Sequence, residues 1–455
     1  MRMIKDWYEM NPQNGFFGER NKYSPMNTPI HDFLISYGEK NPVRCHMPGG
    51  KSNPFDITEI EGADSLFESA GIIRESEESA AKLFGAGKTL FSCGGSTLSV
   101  QTMLALAKAY RPEKKRVIAS RYCHKSLISA CVLLGLVPDW IYPEEYLSCK
   151  IAPEAVKAKI TSDTLCVFAQ SIDYYGGESD VEGIAEACRE KNVPLLTDNA
   201  HGAYLVFTDR HPLALGADMT ADSAHKTLPC LTGGAYLHIN KSAPEIFIKE
   251  AKAVMSLFGS SSPSYLILDS LDMCNNFIQE EREKAKRIFA EVKSLKSELV
   301  KLGYTLKESD LMRITVDALP YGYSGAELGE ELRKNGVESE FSDDRYTVLL
   351  FSCAQRTEDF ERIIKAAKGI KPLEPLIPVN PPIVRPIAAA EPREAMFSAA
   401  EVVPLEKAEG RICADINTPC PPCVPVVMAG EIIDGEIVRA LERYGVKRIR
   451  TCSKG

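Results

Sequence analysis

The sequence predicts an α/β protein built on a mostly parallel sheet, on three observations. Short apolar runs alternate with helix-length amphipathic stretches through the first half of the chain. The runs Arg116-Val117-Ile118-Ala119-Ser120, Thr164-Leu165-Cys166-Val167-Phe168-Ala169, Val193 to Thr197 and Gly234 to Ile239 are apolar at most positions, as strands covered on both faces are. Between them, Ser96 to Tyr110 and Asp180 to Lys191 carry the helical period, and helices are the usual connection between parallel strands. In such a sheet, ligands lie beyond the carboxyl ends of the strands.

The pattern changes after the first half. From about Ser264 to Leu302 it reads as one long, charged helical stretch. Two strand candidates follow, Leu311 to Val316 and Tyr346 to Phe351, each leading into a helical segment, which predicts a smaller α+β domain. Lys371 to Pro386 then carries six prolines, at 372, 375, 378, 381, 382 and 386. That density excludes a helix or a central strand and marks a stiff connector. A small C-terminal unit ends in the amphipathic helix Gly435 to Tyr444. The expected division is an N-terminal arm over 1–60, a large domain over 61–260, a small α+β domain over 261–370, a linker over 371–386 and a C-terminal domain over 387–455.

Composition narrows the class of function. At 455 residues the chain exceeds one ordinary core, and 44% hydrophobic with 25% charged residues is the balance of a globular protein in water. A net charge of −8 gives no footing for nucleic acid or an acidic membrane surface. The start, Met1-Arg2-Met3-Ile4-Lys5-Asp6-Trp7, lacks a signal peptide's apolar stretch, and the run Ala130 to Val137 falls well short of a membrane span. Fourteen cysteines scattered through apolar stretches read as buried free thiols, which places the chain in a reducing cytoplasm.

The chemistry is carried by two strand ends and one turn. Val193 to Thr197 runs into Asp198-Asn199-Ala200-His201-Gly202, and a second strand runs into Ser223-Ala224-His225-Lys226-Thr227. Upstream, Cys93-Gly94-Gly95-Ser96-Thr97 opens a helix, where glycines admit an anion closely and hydroxyls and N–H groups can bind it. A lysine, an acid and an anion-binding turn are what pyridoxal 5'-phosphate (PLP) chemistry needs. The lysine forms a Schiff base, the acid keeps the pyridine nitrogen protonated, and the turn holds the phosphate. His225 and Ser223 can add to the phosphate site, and a lysine among cations has its pKa lowered as that chemistry requires. His124, after the strand ending at Ser120, stands where a ring could stack on a cofactor. Taken singly, each residue has a plainer reading: Ser96 as a helix cap, Asp198 as a turn former, Lys226 as a surface lysine, His201 and His124 as structural histidines.

Two motifs are decoys. Gly85-Ala86-Gly87-Lys88-Thr89 resembles a nucleotide-binding loop, but Lys82 stands where that loop needs glycine, and the segment runs from helix to strand, the wrong order. Cys420-Pro421-Pro422-Cys423 has redox-motif spacing without the strand-to-helix context, and no second pair completes a zinc site, so no metal is expected.

In order along the chain, these residues resemble the Orn/Lys/Arg decarboxylase family, fold type I PLP-dependent decarboxylases of basic amino acids in their short bacterial form. The resemblance begins at His46-Met47-Pro48-Gly49-Gly50 and Asp56-Ile57-Thr58-Glu59. It continues through Gly95-Ser96-Thr97, His124-Lys125-Ser126, Tyr174-Tyr175-Gly176, Asp198 with Ala200-His201-Gly202-Ala203, and Ser223-x-His225-Lys226-Thr227-Leu228. It ends with Pro392-Arg393-Glu394-Ala395, Leu405 to Ile412, Pro421-Pro422-x-Val424-Pro425 and Gly430-Glu431. The resemblance implies an aspartate aminotransferase-like large domain with a seven-stranded, mostly parallel sheet, a small domain and a C-terminal decarboxylase domain. It implies Lys226 as the cofactor lysine, Asp198 as the pyridine partner, and His124 over the ring. Gly95, Ser96, Thr97, Ser223 and His225 would hold the phosphate, and His201 would stand near the cofactor's phenolic oxygen or the substrate, with Lys226 or His225 returning the proton. It also implies a homodimer or higher even oligomer and decarboxylation of arginine, lysine or ornithine. Asn199, Gly94, Gly50 and Cys423 depart from the family's glutamate, asparagine, histidine and small residue.

Two other readings compete. One is an aminotransferase or β-eliminating lyase on the same scaffold, for which Arg313, Arg345 or Arg356 would bind the substrate carboxylate. The other is a catalytically silent PLP-binding regulator, against which the intact Lys226 and Asp198 weigh.

Overall fold

The computed structural model describes residues 28–145, 148–378, 383–416 and 425–453. Met1 to Trp7, Pro381, Pro382 and the run Cys420 to Val424 lie outside the described residues.

The large sheet has seven strands: β1 (Lys88–Ser92), β2 (Arg116–Ser120), β3 (Val137–Ile141), β4 (Thr164–Gln170), β5 (Leu195–Asp198), β6 (Met219–Asp222) and β7 (Ala235–Ile239), in the order β1-β7-β6-β5-β4-β2-β3. β2 runs parallel to β3 and β4, and β4 parallel to β5, while β7 is antiparallel to β1 and β6. The four apolar runs named from sequence are β2, β4, β5 and β7, each displaced by two residues at most. Their apolar character has the expected cause, since every residue of β4, β5 and β7 is buried. β3, Val-Pro-Asp-Trp-Ile, has no such run because it is the sheet's edge, half-buried throughout, where a proline costs no ladder hydrogen bond on the open side. The Gly85 decoy lies between a helix, Ile72–Phe84, and β1, the order its sequence indicated.

The smaller sheet is antiparallel and four-stranded: β8 (Thr305–Lys307), β9 (Arg313–Asp317), β10 (Phe341–Ser342) and β11 (Tyr346–Leu350), in the order β10-β11-β9-β8. The long stretch before it is two helices, Tyr265–Glu280 and Arg282–Lys301, and not the single one expected. The break is Glu281, at φ −109° and ψ 23°. Neither glycine nor proline stands there, so composition carries no sign of it. In the C-terminal segment β12 (Ala400–Pro404) pairs with β13 (Arg448–Cys452) over Val403, Leu405, Val427, Ile433, Ile437 and Leu441.

The chain divides into two compact units. One comprises Met1–Leu106, Asn199–Ile288 and Ser352–Gln355, and the other Ala107–Asp198, Phe289–Phe351 and Arg356–Gly455. In the first, Asp272 pins the start of the helix Pro29–Lys40, accepting from the N–H groups of Ile30 and His31, both at 3.0 Å, and from Ser76 Oγ at 2.5 Å. In the second, Arg121 follows β2 and meets Glu431 through two bonds, of 2.6 and 2.9 Å. Among the described residues, no helix is long and apolar enough to cross a membrane. The cysteines among them are free, and nine are buried. Cys45 departs from the expectation of burial: it lies exposed on the irregular segment after the helix Pro29–Lys40.

Candidate active site

The anion turn forms where β1 hands over to the helix Gly95–Tyr110. Ser92 Oγ donates to Gly95 O at 2.8 Å and accepts from Gly94 N at 3.2 Å, which fixes the bend. Gly95 has φ +65°, the left-handed region, and the space a Cβ would take there is open. Ser96 and Thr97 follow at the helix's positive end, both half-buried. Ser223 Oγ donates to Ser96 Oγ at 2.9 Å, so two hydroxyls far apart in sequence meet at this turn.

Lys226 lies four residues beyond β6, on the one-turn helix Ala224–Thr227. Lys226 N donates to Ser223 O at 3.2 Å. His225 is fixed by its backbone N–H on Gly234 O at 3.2 Å and by its ring Nδ1 on the same oxygen at 2.9 Å. Cys353 N donates to Thr227 O at 2.8 Å and anchors the far side. Lys226 Nζ stands 3.0 Å from Nε2 of the buried His201. His201 itself comes from the tight turn Asn199 to Gly202, closed by Gly202 N donating to Asn199 O at 2.8 Å. Within one unit the fold thus joins Lys226 to His201 and Ser223 to Ser96.

Asp198 and His124 belong to the other unit. Asp198 is the last residue of β5 and buried, with its carbonyl accepting from Ser171 N at 3.0 Å. His124 caps the helix Lys125–Leu134, accepting Ser126 N–H at 3.2 Å on Nδ1. The thiol before it, Cys123, is pushed up to about 12 by burial and is no nucleophile. Each arginine weighed for a carboxylate clamp is held by an aspartate. Arg313 binds Asp310 at 2.7 Å, Arg345 binds Asp317 at 2.6 Å, and Arg356 binds Asp359 at 2.8 Å.

No motif in the sequence marks Asp222, His211 and His238 as a group. Asp222 ends β6 and accepts from Asn199 Nδ2 at 2.9 Å and His211 Nε2 at 3.0 Å. Burial raises its carboxyl, but His211 and the hydrogen bonds from His211 and Asn199 outweigh that and hold it below the ordinary value. Burial drives His238 down to about 3, so its ring is neutral. These three residues come from a loop, the end of β6 and the penultimate position of β7, with no shared motif.

The donors present fit PLP. Paired hydroxyls at a helix N-terminus suit a phosphate, a half-buried lysine amine suits an aldehyde, and a buried carboxylate at a strand end suits a pyridinium.

Two family models match the chain: Orn/Lys/Arg decarboxylase, major domain, over residues 28–321, and the C-terminal domain of the same family over 381–444. The chain is 28% identical to an arginine decarboxylase of Bacillus subtilis, over 91% of this chain and 92% of that one. With an arginine decarboxylase of Bacillus anthracis it shares 29% identity, over 90% and 92%. The constitutive lysine decarboxylase of Escherichia coli superposes with a TM-score of 0.76 at 16% identity, covering 99% of this chain and 84% of that one, a likeness of fold. The family matches span both the large sheet, with Asp198 at the end of β5 and Lys226 just beyond β6, and the C-terminal segment. The chain therefore belongs to the Orn/Lys/Arg decarboxylase family and is a PLP-dependent decarboxylase.

Proposed function

We propose that the chain decarboxylates a basic L-amino acid, arginine first and lysine or ornithine next, releasing CO2 with agmatine, cadaverine or putrescine for polyamine metabolism. The observation that carries this reading is the contact between Lys226 Nζ and His201 Nε2 at 3.0 Å, in the same unit as the Ser96–Ser223 pair. The arginine decarboxylase names of the relatives favour arginine.

PLP, when bound, supplies the sink for the electron pair left at Cα as CO2 departs. Lys226 would hold it covalently. Gly95, Ser96, Thr97, Ser223 and His225 would hold its phosphate, Asp198 would keep the ring nitrogen protonated, and His124 would cover the ring. Lys226 Nζ and His201 Nε2 stand 3.0 Å apart, within reach of proton transfer, so the amine would take up a proton there and return it to Cα. His225, held through Nδ1 on Gly234 O, is the second residue proposed to return the proton. The aspartates that hold Arg313, Arg345 and Arg356 argue against an aminotransferase clamp.

The proposal extends to a homodimer or larger even assembly in the cytoplasm. Exposed Val43 and Met47 support the first, and the buried reduced thiols support the second. In the test, purified enzyme is given arginine, lysine and ornithine separately, and products are read by mass spectrometry. Stoichiometric CO2 and amine are expected from arginine, and borohydride should fix the cofactor on Lys226. A keto acid without CO2, or a label on another lysine, would sink the reading.

A further inference from the structure

Three donors converge on the wholly buried Asp222: Asn199 Nδ2 at 2.9 Å and His211 Nε2 at 3.0 Å on Oδ2, and Thr220 Oγ1 at 3.1 Å on Oδ1. Asn199 opens the turn that carries His201, and Asp222 stands four residues before Lys226. The two turns therefore meet twice, once through the Asp222–Asn199 bond and once through the Lys226–His201 contact. A backbone bond from Asn199 N to Ala221 O, 2.9 Å, runs beside them. Gly202 has no Cβ, and the Asn199 side chain fills the place one would take.

We propose that Asp222, acting through Asn199, is a positioning residue that holds His201 at hydrogen-bond distance from Lys226 and so sets proton exchange between them. This rests on the reading of Lys226 as the cofactor lysine. The hydrogen bonds run in one direction, toward the carboxylate, so the Asn199 amide can settle in only one orientation. That orientation fixes the start of a four-residue turn, and the turn fixes the imidazole.

His211, Asp222 and His238 also carry the donor atoms of a cation site, all within 4.8 Å of one another. The hydrogen bonds favour a network instead. Leu213 N–H points at His211 Nδ1 at 3.4 Å, which leaves the His211 proton on Nε2, facing Asp222. A metal would need a lone pair there.

The test uses full-length, PLP-loaded enzyme and four variants: Asn199→Ala, Asp222→Ala, Asp222→Asn and His201→Ala. Asparagine at 222 keeps an oxygen for Asn199 and His211 and an amide that Thr220 Oγ1 can accept, so it should recover much of what alanine loses. Asn199→Ala should lower kcat on the order of tenfold to a hundredfold with KM little changed, because a misplaced group costs rate more than binding. Its pH profile of kcat/KM should shift with it. In a His201→Ala background the Asn199→Ala change should add almost nothing, since its effect passes through that ring. Additive losses, or an unchanged kcat and pH profile in Asn199→Ala, would overturn the proposal. The cycle between Asn199 and His201 leaves the buried charge intact, so it decides the matter even if Asp222→Ala fails to fold. One equivalent of zinc retained by the wild type and lost in Asp222→Asn would overturn the network in favour of a cation site. A borohydride label absent from Lys226 in the wild type would instead defeat the parent reading.

Discussion

Asp272 and Asp222 are both buried aspartates, and their surroundings send their carboxyls in opposite directions. Asp272 accepts two backbone N–H groups and the Ser76 hydroxyl, yet burial outweighs these bonds and pushes its carboxyl up to about 7. Asp222 is held low by His211 and Asn199 despite equal burial. A native carboxyl raised above its unfolded value holds its proton more tightly when folded. Its contribution is therefore full below the ordinary value of 3.8 and is lost as pH rises through about 7. That displacement corresponds to on the order of 4 kcal/mol. Asp272→Asn keeps an acceptor for Ile30 and His31 and offers Ser76 a donor, so it should lose this pH dependence. Urea unfolding of wild type and variant between pH 4 and 8 should show the wild type weakening relative to Asp272→Asn as pH rises. Parallel curves would refute the assignment.

At the scale of elements, one buried ion pair ties the residue after β2 to the C-terminal segment. Arg121 gives Glu431 two bonds and Val426 O a third at 3.1 Å, and Met428 N donates to Glu431 Oε2 at 2.9 Å. At 1% and 4% side-chain exposure, neither charge has water to fall back on. Removing one partner leaves the other buried and unpaired, so Glu431→Gln should cost about 3–5 kcal/mol in denaturant unfolding. Replacing both by apolar residues of similar volume should cost much less, for the same reason. Equal losses from the single and the double change would show that packing, and not charge, sets the stability there. Glu431 stands in the motif Gly430-Glu431 and Arg121 lies three residues before His124, but nothing in either run announces the other.

For the whole molecule, the proposed assembly has a direct measurement. Val43 is 91% exposed and Met47 66%, on a segment without helix or strand that runs into the motif starting at His46. Apolar side chains left open on an irregular segment are expected to be covered by a second copy. Sedimentation of the active enzyme should give twice the chain mass of 50.1 kDa or a higher even multiple. A fully active monomer would refute the assembly.

Periodicity alone determined the α/β class, because strands buried on both faces must be apolar throughout and their connecting helices must repeat at 3.6 residues. Short motifs pointed to the strand ends proposed to carry chemistry, since the roles proposed for Lys226, Asp198 and the Gly95-Ser96-Thr97 turn each draw on a few adjacent residues. Tertiary structure decided the rest. The edge strand β3 has no apolar run because one side meets no neighbour, and Glu281 breaks a helix without a residue that marks a break. The contact of His201 with Lys226, and the convergence of Asn199, His211 and Thr220 on Asp222, join residues from separate turns, a loop and a strand. Such contacts depend on where β6 and its turns come to rest in space, which no local pattern of residues encodes.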